Sequence, residues 1–179
     1  MLLDKWQKDL DWSAKAFHDL VWPILQKHIG GQLIHIEQIT EDSFAKNFDQ
    51  LSGIDAWHIR ADKGIRGIAS RIQVCDIKFP PYNTFTIRKS RDSGAITEYE
   101  KRKKAIESQN GWLYPHLTVQ AYISEKTGGI LRSFAVAKTK NIIEQINTGQ
   151  YFEKRTGNAC FLCVAWDEKL CVLKGQYER

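Results

Sequence analysis

The chain has 179 residues, 42% of them hydrophobic and 26% charged, with a formal net charge of +5. Those proportions fit one soluble α/β-sized domain (residues 1–179) with a sizeable core, and no apolar run approaches the roughly 20 residues of a membrane span. The opening "MLLDKWQKDLDW" is too polar and too acidic for a signal peptide, so a cytoplasmic protein with no membrane partner is expected.

The charge is unevenly spread. Residues 60–104 hold twelve Lys/Arg against five Asp/Glu, a local excess of +7 that leaves the rest of the chain near −2. Basic charge concentrated in one region favours an anionic partner, nucleic acid first; a solvated surface is the plainer alternative. The four cysteines (Cys75, Cys160, Cys163, Cys171) make no disulfide framework, and "CFLC" lies in the apolar run "ACFLCVAW", which reads as a buried strand with reduced thiols.

In chain order, residues 4–28 read as a helix, with Trp6, Leu10, Phe17, Leu20, Val21, Ile24 and Leu25 on one face. Ser13 is a candidate cap for a second segment, Pro23 predicts a kink or break, and "HIGG" ends the element. "QLIHIEQIT" reads as the first strand, with Glu37 towards its end, and acidic "EDSFAKNFDQLS" follows it. "IDAWHIR" and "GIASRIQV" read as an antiparallel pair joined through "ADKGIRG". After the break at "FPPYN", "TFTIRK" resumes as a strand. "TEYEKRKKAIES" is a helix opened by a Thr97/Glu100 capping box and closed by "NGW". "HLTVQAYIS" and "GILRSFAVAK" form a hairpin, "KNIIEQINTG" a short helix, and "ACFLCVAW" and "KLCVLKG" two last strands with "DE" at their turn. The expected class is α/β: a mixed sheet flanked by helices.

The stretch "GIDAWHIRADKGIRGIASRIQ" (residues 53–73) carries the candidate chemistry. Alternation puts Asp55, Trp57 and Ile59 on one face of the first strand, and Ala69, Arg71 and Gln73 on one face of the second. A turn centred on Gly64 would set Asp55 opposite Gln73; a one-residue slip would move it to the Ser70 face.

Helix, strand, a strand opening with "GID", and a strand with a polar-x-polar pair resemble the PD-(D/E)XK nuclease superfamily, in its Mrr-related, restriction-endonuclease-like branch. The following helix and strand continue that order, so the resemblance covers residues 4–124; residues 125–179 would add strands and a helix that complete the sheet or form a dimer surface. The resemblance implies a restriction-endonuclease-like core that cleaves DNA phosphodiester bonds with Mg2+ (or Mn2+), DNA rather than RNA as partner, and a homodimer for cutting both strands. It makes Asp55 the metal-binding carboxylate, places the Ile72 carbonyl as a further ligand, and sets Gln73 and Arg71 in the positions of the family's lysine and its preceding Glu or Gln.

Gln73 can still orient a water. Arg71 is the sharper departure, since a guanidinium cannot ligate a cation and would repel one by roughly 4 kcal/mol at about 4 Å. Either Glu37 or Asp49 supplies the missing carboxylate while Arg71 turns to the scissile phosphate, or Arg71 replaces the metal and the protein binds nucleic acid without cutting it. A protein-interaction module of a nucleic-acid-processing system is the third class.

Other residues have plainer readings beside the functional ones. Arg88, Lys89, Arg91, Lys101 and Lys104 are candidates to track a phosphate backbone, although "KRKK" (101–104) wraps right around its helix. Glu98 and Glu100 fit the helix dipole better than a site. His58 alternates away from Asp55 and reads as a structural histidine, Trp57 as core before a base-stacking ring, and "SRDSG" (90–94) as a polar turn near substrate or a simple connection.

Overall fold

The structure, a computed structural model, describes residues 11–36, 53–76, 80–94, 97–108 and 113–177. Within them, helical residues 11–16 lead through a π turn (Phe17–Val21) into α1 (Trp22–Ile29). Ser13 therefore lies inside a helix and caps nothing. Pro23 falls in the first turn of α1, where a missing N–H costs no helical bond; the π turn just before it is where the helix departs from regular winding.

Among the described residues, nine strands divide between two sheets. The first runs β1 (Gln32–His35), β2 (Ala56–Arg60), β3 (Gly64–Val74), β5 (Pro115–Ile123), β6 (Leu131–Lys138) and β9 (Cys171–Gln176), in that spatial order. All its neighbours are antiparallel except β3 and β5, which are parallel. A parallel pair needs a long crossover, and here it contains β4 (Thr84–Arg91) and α2 (Glu98–Glu107). The second, antiparallel sheet is β4, β8 (Ala159–Ala165) and β7 (Phe152–Thr156), and α3 (Thr139–Asn147) follows β6. The chain is thus a mixed α/β protein.

Each face of the large sheet is covered. Ile68 and Ile72 of β3, Val119 and Ala121 of β5, and Phe134 and Val136 of β6 pack on Phe17, Val21 and Leu25 of the N-terminal helix. On the opposite face, Ala135 and Ala137 of β6 meet Ile142, Ile143 and Ile146 of α3 together with Phe85 and Ile87 of β4 and Leu162 and Val164 of β8. No helix of the described residues is long and apolar enough to cross a membrane.

Three expectations need correction, and one strand has no counterpart among them. Arg60 pairs with Gly64, so residues 61–63 alone form the β2–β3 turn, and the "GIRG" placed in the loop is strand. Asp55 consequently lies beside Ile68 and Ser70, not opposite Gln73. The last two strands are not a hairpin: β8 joins the small sheet and β9 the large one. Finally, "FEKRT" forms β7, an edge strand with no apolar alternation to announce it.

A guanidinium cluster as the candidate functional site

Gly53, at φ +64°, turns the chain in a conformation that favours glycine and brings it into "GID". Ile54 is fully buried, and it fits because Gly67 has no side chain; a Cβ there would lie 2.8 Å from the Ile54 Cδ1. This contact seats Asp55 against β3. Its backbone N–H donates to the Ile68 carbonyl at 2.9 Å, and its Oδ2 accepts from the Ser70 N–H at 2.5 Å.

Arg71, on the face of β3 turned away from the N-terminal helix, donates through Nη2 to both carboxylate oxygens of Glu98, at 2.6 and 2.8 Å. Glu98 stands in the first turn of α2, whose start is set by the expected capping box, with the Thr97 N–H donating to Glu100 Oε2 at 2.9 Å. The Thr97 hydroxyl also donates to the Lys89 carbonyl at 2.9 Å, tying α2 to β4. Two more guanidiniums close on the same carboxylate: Arg88 from β4 at 3.5 Å and Arg102, one turn further along α2, at 3.9 Å. Burial alone would raise the Glu98 pKa, but Arg71, Arg102, Arg88 and the Arg88 N–H outweigh it and hold the carboxyl at about 2. Arg102 is buried, and the charges of Glu98 and Asp55 both act on it.

Phe161 of β8 forms the floor. The Arg71 and Arg88 guanidiniums lie over its ring, 5.1 and 5.6 Å from the centroid. Beside them, Gln120 of β5 donates to Gln73 Oε1 at 3.0 Å and accepts from the Thr86 hydroxyl at 2.9 Å. Arg71 and Glu98 keep about a fifth of their side-chain surface exposed and Arg88 a quarter (21%, 23% and 25%), so the cluster opens to solvent at one edge.

The predicted site residues are therefore only partly brought together. Asp55, Arg71 and Gln73 share one end of β3, but Gln73 is bonded to Gln120 and Arg71 to Glu98. Ile72 packs into the core and pairs with Ala121. Glu37 and Asp49 lie outside the described residues. Among the basic candidates, Arg88 joins the cluster, Lys89 pairs with Glu153, Arg91 is exposed at the end of β4, and Lys101 and Lys104 lie on α2 away from its buried Arg102. His58 is structural, its Nε2 bonded to the Gly30 carbonyl at 2.8 Å, and Trp57 packs on Ile36 and Ile54. Cys160 and Cys163, three apart on a strand, fall on opposite faces of β8; Cys160 contacts Glu153, while Cys163 is buried, so the pair cannot share an ion.

In the sequence Glu98 reads as a helix-dipole residue and Arg102 as one of the "KRKK" cations, and no local pattern singles out Phe161, Gln120 or Thr86. Glu98 lies 27 positions from Arg71 in sequence, and only the crossover folds the two together. No group of three or more His, Cys, Asp or Glu side chains among the described residues gathers to hold a metal. Asp55 borders a region where three guanidiniums face two carboxylates, a net positive field that opposes a cation such as Mg2+ there.

No protein-family model, curated protein or solved structure matches the chain.

Proposed function

We propose that this protein binds the sugar–phosphate backbone of nucleic acid, DNA first, through Arg71 and Arg88 on a nuclease-like frame. The observation that carries the reading is the gathering of three guanidiniums on a single carboxylate. Glu98 and Asp55 offset two of the three guanidiniums, the buried Arg102 among them, which leaves one net positive charge beside Arg71 and Arg88 at the solvent-open edge. The Nε atoms of Arg88 and Arg102 are buried without an acceptor in the protein, a condition that costs about 1–3 kcal/mol per donor.

Glu98 then serves the site by pre-organisation. It holds like charges side by side over Phe161, so an arriving phosphate meets guanidiniums already in place. Arginine suits this task because its planar fork matches phosphate oxygens two at a time. The order helix, three antiparallel strands, crossover helix and parallel strand supports the nuclease-like frame, as does Asp55 at the start of β2.

Metal-dependent cleavage is the second reading, favoured by one observation: Asp55 and Glu98 both act on Arg102, so two carboxylates border one spot. Supercoiled plasmid and single-stranded DNA, incubated with Mg2+, Mn2+ or EDTA, separate the two. The backbone-binding reading expects salt-sensitive binding weakened by Arg88→Gln and no cleavage under any condition. Metal-dependent nicking abolished by Asp55→Ala would replace it with the second reading, and absence of binding even at low salt would overturn both.

A further inference from the structure

We propose that the solvent edge of the small sheet, where Phe152 and Tyr82 stand exposed, is a stacking platform for unpaired bases, which makes single-stranded nucleic acid the preferred ligand. The inference rests on the backbone-binding reading and extends it from phosphate to base.

Side chains directly opposite one another in an antiparallel sheet share a face. The pairings Arg88–Phe161–Lys154 and Thr86–Cys163–Phe152 therefore form two rows across β4, β8 and β7, all on the side where Arg71 meets Phe161. Tyr82 joins this face, with the Lys154 ammonium 3.7 Å from its ring centroid. Two of the aromatic rings are open to solvent: Phe152 is 51% exposed and Tyr82 52% exposed. Lys154 lies against Tyr82 and two residues from Phe152 on the same face of β7, and its row across the sheet leads through Phe161 to Arg88, so we add Lys154 to the phosphate contacts.

Alternating cations and exposed rings on one twisted sheet match the chemistry of a single strand, whose bases stack on aromatics while its phosphates run along basic side chains. A duplex hides its bases within its own stack and offers these rings nothing. The edge strand β7 also explains the exposure. Its Phe152 stands half exposed, and an apolar ring placed on an edge strand without function would invite aggregation.

The test is fluorescence anisotropy with labelled oligo-dT, oligo-rU and a duplex of equal length, on the full chain. Single strands should bind at least about tenfold tighter than duplex, and Phe152→Ala and Tyr82→Ala should each weaken single-strand binding about tenfold while leaving duplex binding unchanged. Both positions are exposed, so circular dichroism should show the variants folded. Duplex bound as tightly as single strand, or aromatic variants without effect, overturns the platform while leaving the backbone grip standing. No salt-sensitive binding to any of the three ligands overturns the backbone grip as well. A preference for oligo-dT or for oligo-rU, with both weakened by the variants, supports the platform and names its polymer.

Discussion

The two faces of β3 are held by different means. Towards the N-terminal helix it presents Ile68 and Ile72, which join a dry cluster of Phe17, Val21, Leu25 and Val119. Towards α2 and the small sheet it presents Arg71 and Gln73, each tied to a polar partner. The dry face gains its stability from apolar area removed from water and tolerates small shifts in geometry. The polar face is stable only while every charge keeps its counter-charge, because an unpaired buried ion is far costlier than a void. On the proposed reading the polar face is the one that meets a ligand, because its guanidiniums outnumber its carboxylates.

Substitutions can break this comparison from either side. The largest effect is expected on the dry face, where Phe17→Ala should cost about 4 kcal/mol of unfolding free energy in urea denaturation, since the ring is fully buried. Glu98→Gln should cost about 3 kcal/mol, because it removes the carboxylate that Arg71, Arg88 and Arg102 share. A loss below about 1 kcal/mol would mean that the cluster is no different from a surface ion pair.

Acid sharpens the point. The folded Glu98 carboxyl sits at about 2, below its ordinary 4.5, so its contribution is present in full above pH 4.5 or so and fades as pH falls towards 2. Stability measured from pH 6 down to pH 2 should decline more steeply in the wild type than in Glu98→Gln; parallel curves would contradict the assignment. The smallest effect is expected at the helix start. Thr97→Ala should cost about 1 kcal/mol through the lost cap and its bond to Lys89, and a thermal shift of a few degrees would register it.

Much of the architecture was legible because it is written locally. The Thr97/Glu100 box, the alternation of "HLTVQAYIS" and "GILRSFAVAK", and the two faces of "GIASRIQ" follow from spacing alone. Register was not. Gly64 and Gly67 look like turn residues, yet one begins β3 and the other makes room for Ile54, which shortened the real turn and moved Asp55 four residues along its neighbour. The partition of β8 and β9 between sheets depends on long-range packing that no local pattern encodes. In the site, Asp55 and Arg71 stood out by position in a motif. Glu98, Arg102 and Phe161 did not, because each has an ordinary local explanation (a first-turn carboxylate, a helix cation, a strand aromatic) and acquires its role only in three dimensions.

The central claim, that this charged face grips a phosphate backbone, is tested most directly by the salt dependence of oligonucleotide binding. Wild-type affinity for oligo-dT should fall steeply and linearly on a log–log plot against salt. Arg88→Gln and Lys154→Gln should each reduce the slope by about one, as the loss of one phosphate contact requires. A slope near zero in the wild type, or slopes unchanged in both variants, would contradict it.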